Sequence, residues 1–204
     1  MHKANQYEEL QAFSDMPAWL AMKAATIASE RRIPGPIAVQ VEYSLVARDI
    51  ESEHIPVARE AGMGVMPWSP LAGGFLSGKY SRENTKDKGR LSGPNPFGDS
   101  KFVDRNWAIL DVLKSVSAEQ NRPLAQVALR WVMARPGVTS TIVGASKLMQ
   151  LASNIAATEI VLSESQMKRL NEVSAPVVGF SAGLATPMIR SMVFGGNTVA
   201  GWME

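Results

Sequence analysis

What most limits the fold of this chain is a repeated unit: a short apolar, β-rich run closed by turn residues, then apolar residues at helical spacing. Ile37 to Tyr43, Met63 to Trp68 and Ser140 to Val143 each read as strands of this kind. Leu10 to Phe13 is a fourth candidate, and it reads as well in a helix. These runs lack a clean alternation of apolar and polar residues, which predicts a parallel sheet covered by helices on both faces. A doubly wound sheet and a (β/α)8 barrel both satisfy the pattern.

The helical segments fill in the repeat. An alanine-rich stretch from Ala18 to about Arg31 ends before Pro34-Gly35-Pro36. Asp49 is placed as an N-cap with Glu51 and Glu53 in the following turn, Pro56 implies a kink or a late start, and the helix stops at Gly62. Ile109, Val112, Leu113 and Val116 share one face, Leu124, Val127, Ala128 and Trp131 another, and Leu148, Leu151, Ala152 and Ile155 a third, each predicting an inward-packed helix. Ser163 to Gln166 spells a capping box, with Leu162 and Met167 placed as its hydrophobic staple. Residues Ser69 to Ser100 form a loop too long for a plain connection and so a candidate lid, and the tail from Pro176 reads as irregular.

Composition narrows the chemistry. A length of 204 residues with 46% apolar content predicts one domain over 1–204. The 21 basic and 19 acidic residues carry no long run of one sign, so nucleic acid is not expected as a partner. With no cysteine there is no disulfide, thiolate metal site or cysteine nucleophile, and no apolar run reaches the ~20 residues of a membrane span, so the expectation is a cytoplasmic protein without a membrane partner.

Two turns stand out chemically. Trp68-Ser69-Pro70-Leu71-Ala72-Gly73-Gly74 leaves a strand's C-terminal end with an aromatic ring, a hydroxyl and two glycines that let backbone approach an anion. Val143-Gly144-Ala145-Ser146-Lys147 opens a helix, where unpaired N–H groups and the dipole attract phosphate, and Gln150 and Asn154 follow on one face. Each also has an ordinary reading, a packed Trp with a flexible turn and a solvated helix start. Phosphate turns after the last two strands favour the barrel.

Other patterns lead nowhere. Gly73 to Tyr80 nearly spells a nucleotide-triphosphate loop, but Tyr80 replaces the hydroxyl that would hold Mg²⁺. Gly179-Phe180-Ser181-Ala182-Gly183 matches a hydrolase elbow with no histidine after it. Glu51, Glu53 and His54 cannot converge on one helix face, so no metal site is expected. Of the tyrosines only Tyr43 lies near a strand's C-terminal end, with no lysine or carboxylate partner nearby in sequence.

Taken together, Ser14-Asp15-Met16-Pro17-Ala18-Trp19, Gln40-Val41-Glu42-Tyr43-Ser44-Leu45, Val65 to Gly74 and Ile142-Val143-Gly144-Ala145-Ser146 resemble the C-terminal half of the aldo-keto reductase family, in order and with matching gaps from about Ser14 to Gly201. The pattern is that of the bacterial branch that also includes relatives of the potassium-channel β-subunits. The resemblance implies the C-terminal portion of a (β/α)8 TIM barrel, about four βα units of it, hence a partial barrel. It implies hydride transfer between NADPH and an aldehyde or ketone.

By position, the resemblance assigns Ser14, Asp15 and Gln40 to the nicotinamide carboxamide and Trp68 to stacking on the ring. Ser69, Pro70, Leu71 and Gly73 match the pyrophosphate turn, and Gly144, Ser146, Lys147, Gln150 and Asn154 fall where the 2′-phosphate and adenine are held. Asp15 stands where many members have Asn, and Ser146 where many have Arg, so NADP is the expected cofactor and NAD the alternative. The family's catalytic Asp, Tyr, Lys and His belong to the first four βα units, so no catalytic residue is expected here, and a small carbonyl substrate is expected only if the other half is supplied. Exposed sheet edges then predict a homo-oligomer. Against a reductase incapable of turnover alone stand three alternatives: an enzyme completed by a partner, a binding module that senses nicotinamide redox state, and an inert fragment.

Overall fold

The computed structural model describes residues 11–85, 91, 101–177, 179 and 187–197. Three parallel strands, β1 (Ala12–Ser14), β2 (Ala38–Glu42) and β3 (Gly64–Trp68), lie in the order β1-β2-β3. Helix α1 (Ala18–Arg31) crosses from β1 to β2, and a 3₁₀ turn (Asp49–Glu51) with α2 (His54–Glu60) crosses from β2 to β3. After β3 come a 3₁₀ helix (Ala72–Ser77), α3 (Asp104–Gln120), α4 (Leu124–Met133), α5 (Leu148–Ile155), α6 (Glu164–Val173) and α7 (Pro187–Val193). The chain is α/β with βα repetition, as the sequence predicts. Among the described residues no helix is long and apolar enough to cross a membrane.

Several boundaries differ from the expectations, each for a physical reason. Asp49 does not cap α2, because a 3₁₀ turn intervenes and α2 begins only at His54; Pro56 then sits in the first helical turn, where its missing N–H costs nothing. Ser140 to Val143 is not a regular strand. The N–H groups of Thr139 and Ser140 both reach the Val65 carbonyl (2.9 and 3.5 Å), the mark of an inserted residue, and Ile142 donates to the Pro67 carbonyl at 2.8 Å. In a parallel ladder Pro67 would return an N–H to the same neighbour, and it has none. The segment still runs parallel beside β3, bridged at Val65 and Val138.

The sheet is not buried alike on its two faces. Val39, Val41 and Val65 join the main core with Ile109, Leu113, Val127 and Trp131, whereas Gln40, Glu42, Met66 and Trp68 on the alternate positions are only half-buried. The faces of α3 and α4 pack inward as expected. That of α5 does not: Leu148, Leu151 and Ile155 are exposed, and no residue of α5 is buried. The capping box forms, with the Gln166 N–H donating to Ser163 Oγ and the Ser163 N–H to Gln166 Oε1, and Leu162 and Met167 pack against the core. The tail is not wholly irregular, since it contains α7. The loop from Ser69 starts as a packed 3₁₀ helix with Phe75 and Leu76 fully buried, while residues 86–90, 92–100 and the 180–183 part of the elbow-like motif lie outside the described residues.

Candidate functional site

Parallel pairing in register brings the C-terminal strand ends together. Ser14 lies opposite Gln40, Gln40 opposite Met66, and Glu42 opposite Trp68. Asp15 leaves β1 at φ 49°, a left-handed conformation that a short polar side chain tolerates best after glycine. Its N–H donates to the Gln40 carbonyl at 3.0 Å. Its carboxylate accepts from Trp68 Nε1 at 2.9 Å and from Ser14 Oγ at 3.3 Å. Four of the residues singled out by sequence, Ser14, Asp15, Gln40 and Trp68, thus meet at one end of the sheet.

The bend after β3 is a run of left-handed residues: Ser69 (φ 52°), Ala72 (49°), Gly73 (63°) and Gly74 (92°). The Ala72 N–H donates to the Ser69 carbonyl, the Gly73 N–H to Ser69 Oγ and the Gly74 N–H to the Leu71 carbonyl. Pro70 is buried below them. The left-handed φ angles of Gly73 and Gly74 favour glycine at both positions, and a Cβ would come within 2.8 Å of Leu91 at Gly73 and within 2.7 Å of Lys79 Nζ at Gly74. The Lys79 ammonium therefore lies across the Gly74 backbone. Sequence reasoning passed over Lys79 as part of a false triphosphate loop, although a lysine just beyond a glycine-rich bend was the signal available.

The second turn reaches the same end of the sheet through the Ile142–Pro67 bond, one residue from Trp68. Gly144, Ser146 and Lys147 are exposed at the start of α5, with Lys147 in the N-cap position and an extended backbone (φ −134°). Ser146 donates from both its N–H and its hydroxyl to Gln150 Oε1, at 3.1 and 3.2 Å. Asn154 lies half-buried one turn further on.

Tyr43 has the carboxylate partner that its sequence neighbourhood lacked. Its hydroxyl donates to Glu51 Oε1 and accepts from Arg135 Nε at 3.0 Å. Arg48 grips Glu51 with a two-pronged pair of 2.8 Å bonds and donates to the Asn171 carbonyl and Ser174 Oγ. The guanidinium groups of Arg48 and Arg135 both lie over the Trp131 ring. Burial and the bond to Glu51 push the Tyr43 hydroxyl far above its ordinary range. Burial would also raise Glu51, but the bonds from Arg48 and Tyr43 and the two cations hold its carboxyl below the usual value. Tyr43 thus ties the end of β2 to Glu51 and to α4 and a residue just past it, through Trp131 and Arg135, and Arg48 and Arg135 extend that tie to α6.

A cavity of about 290 Å³ adjoins Asp15, between the start of α1 and the turn from Ala47 to Ile50, with Glu42, Asp49 and His54 in its wall. His54 Nε2 is 2.9 Å from the Met16 carbonyl. Among the described residues no three His, Asp or Glu side chains are placed to share a metal ion.

Comparison with known proteins bears on the whole assembly. A family model described as "Aldo/keto reductase family" matches residues 10–175. An uncharacterized oxidoreductase, YrpG, of Bacillus subtilis is 34% identical over 160 residues, covering 78% of this chain and 47% of the relative. A probable voltage-gated potassium channel subunit beta of Oryza sativa is 34% identical over 72% of this chain and 46% of its own length. A probable aldo-keto reductase 1 of Glycine max is 36% identical over 72% and 41%. The chain thus spans a little under half the length of these relatives.

Proposed function

The chain belongs to the aldo/keto reductase family, and we propose that its residues form the part of a nicotinamide-dependent oxidoreductase that holds the dinucleotide. One observation carries this reading: Ser14, Asp15, Gln40 and Trp68, from three different strands, meet at one sheet end beside two anion-suited turns. Sheet ends of this kind are where α/β folds bind such ligands.

The residues present fit the group. Trp68 offers a half-buried aromatic ring for the nicotinamide, and Ser14, Asp15 and Gln40 offer a hydroxyl, a carboxylate and an amide to its carboxamide. The Ser69–Gly74 bend, with the Lys79 ammonium across Gly74, suits a pyrophosphate. The start of α5, with Lys147 beside it, suits the adenosine phosphate, with Gly144, Ser146, Gln150 and Asn154 around it. For that anion to sit there, Ser146 must exchange its bonds to Gln150 for bonds to phosphate. Lys147 supports NADP over NAD, and Ser146, neutral where a cation would serve better, supports NAD as the alternative.

When bound, the dinucleotide supplies a hydride at its nicotinamide ring. This chain's residues bind and orient that ring, but Tyr43 is buried on Glu51 and His54 is turned to Met16, so neither is placed to pass a proton to a carbonyl there. We read the 204-residue chain as a dinucleotide holder that does not reduce carbonyls alone. Calorimetry with NADPH, NADP⁺ and NAD⁺ tests the holding role; heat with none of them refutes it. Loss of nicotinamide absorbance on mixing the isolated chain with NADPH and an aromatic aldehyde refutes the second statement.

A further inference from the structure

The group beside Trp68 is a carboxylate, and its charge has a consequence for the redox state of what binds there. Trp68 Nε1 donates to Asp15 Oδ1 at 2.9 Å, so the carboxylate lies in line with the indole N–H at the same strand ends. The geometry is fixed from the backbone side: Asp15 holds its left-handed turn with its N–H on the Gln40 carbonyl, and Ser14 Oγ bonds the second carboxylate oxygen. Among the described residues no cation pairs with Asp15. The nearby Glu42 is already paired with Lys101 at 3.2 Å. Asp15 therefore brings an uncompensated negative charge to the edge of the aromatic platform.

We infer that Asp15 makes this site prefer the oxidised dinucleotide over the reduced one. The inference rests on the reading of Trp68 as the nicotinamide platform. An oxidised nicotinamide ring carries a positive charge that the reduced ring lacks. A carboxylate within a few ångströms attracts the first and leaves the second unaffected, and near a protein surface such a pair changes binding by roughly tenfold. A second effect has the same sign. An indole whose N–H is held by an anion is richer in electron density over its face, and a cationic ring stacked there gains from it while a neutral ring gains less. By linkage, a tenfold preference for the oxidised form lowers the two-electron potential of the bound couple by about 30 mV. The site then releases its dinucleotide more readily once that dinucleotide is reduced.

Asp15→Asn isolates the charge. Asn keeps an oxygen to accept from Trp68 Nε1, presents to Ser14 Oγ an NH2 that the hydroxyl can accept from, tolerates the left-handed turn as well as Asp, and removes the charge at an exposed position. The test is calorimetric titration of the native chain and of D15N with NADP⁺ and NADPH. The expected result is a ratio of reduced to oxidised Kd about tenfold larger in the native chain than in D15N. That gap should shrink as salt rises, because Asp15 is exposed. If both forms bind both proteins with the same ratio, the charge argument is overturned while the dinucleotide site stands. If the native chain binds neither form, the reading beneath it falls and this inference falls with it.

Discussion

Trp68 and Glu51 show how differently two prominent residues are used. Trp68 is half-buried and stands outside the main core, so removing it takes nothing from that core. Trp68→Ala is expected to weaken NADPH binding by the about 1–3 kcal/mol typical of aromatic stacking on a flat heterocycle, with a small change in melting temperature. Parallel calorimetry and thermal melts check both halves. Glu51 is the reverse case, a carboxylate that neutralises the buried Arg48 and the half-buried Arg135. Glu51→Gln leaves those cations uncompensated and should destabilise the chain by about 3–5 kcal/mol, seen as a lower urea midpoint with an unchanged slope. Since the folded carboxyl titrates below its unfolded value, Glu51 contributes stability at pH above the unfolded value of about 4.3 and loses it as pH falls through the lower folded value. Native and E51Q stabilities should therefore converge as pH falls below that folded value. The residues proposed to hold the dinucleotide were legible because their types and order carry a family pattern. The tie from Tyr43 and Glu51 to Arg135 was not, since 84 residues separate Glu51 from Arg135 and no local spacing records their contact.

At the scale of elements, local signals succeeded where local physics decides the outcome. The capping box at Ser163 formed because its two bonds lie within one turn, and Ser163→Ala should cost about 1 kcal/mol, measurable as a shift in urea midpoint. The run from Ser140 to Val143 failed as a strand because the missing donor belongs to Pro67, on another element. Thr139, just before that run, packs against Gly64, where a Cβ would approach Thr139 Oγ1 to 2.9 Å and Thr139 Cβ to 3.3 Å. Gly64→Ala should push residues 138–142 off the β3 edge. Because that segment carries the turn into α5, the variant should lose dinucleotide affinity as well as stability, whereas Ser163→Ala should lose stability alone. Hydrogen exchange at Ile142, accelerated in G64A and unchanged in S163A, is the measurement that separates them.

Periodicity tells which face of a helix is apolar and not whether anything covers it, and α5 is where that distinction governs the whole molecule. Leu148 and Met149 are 81% and 85% exposed, and Ile155 and Val161 lie open near them. At the opposite edge of the sheet α1 exposes Trp19, and among the described residues β1 has a neighbour on one side only. Apolar side chains gathered this way on both flanks of a parallel sheet predict association, since an ordinary monomer scatters its exposed apolar residues. The matching relatives are about twice as long, so in a chain of their length further residues are present that could cover such flanks. In the 204-residue chain on its own, the expected outcome is concentration-dependent self-association with strong binding of an apolar dye. Leu148→Ser with Met149→Ser should reduce both while sparing the α3, α4 and α6 core, since neither side chain belongs to it. Sedimentation of the native chain and the double variant over a range of concentrations decides the matter. A native chain that stays monomeric and takes up no dye would mean that the exposed flanks are covered from within.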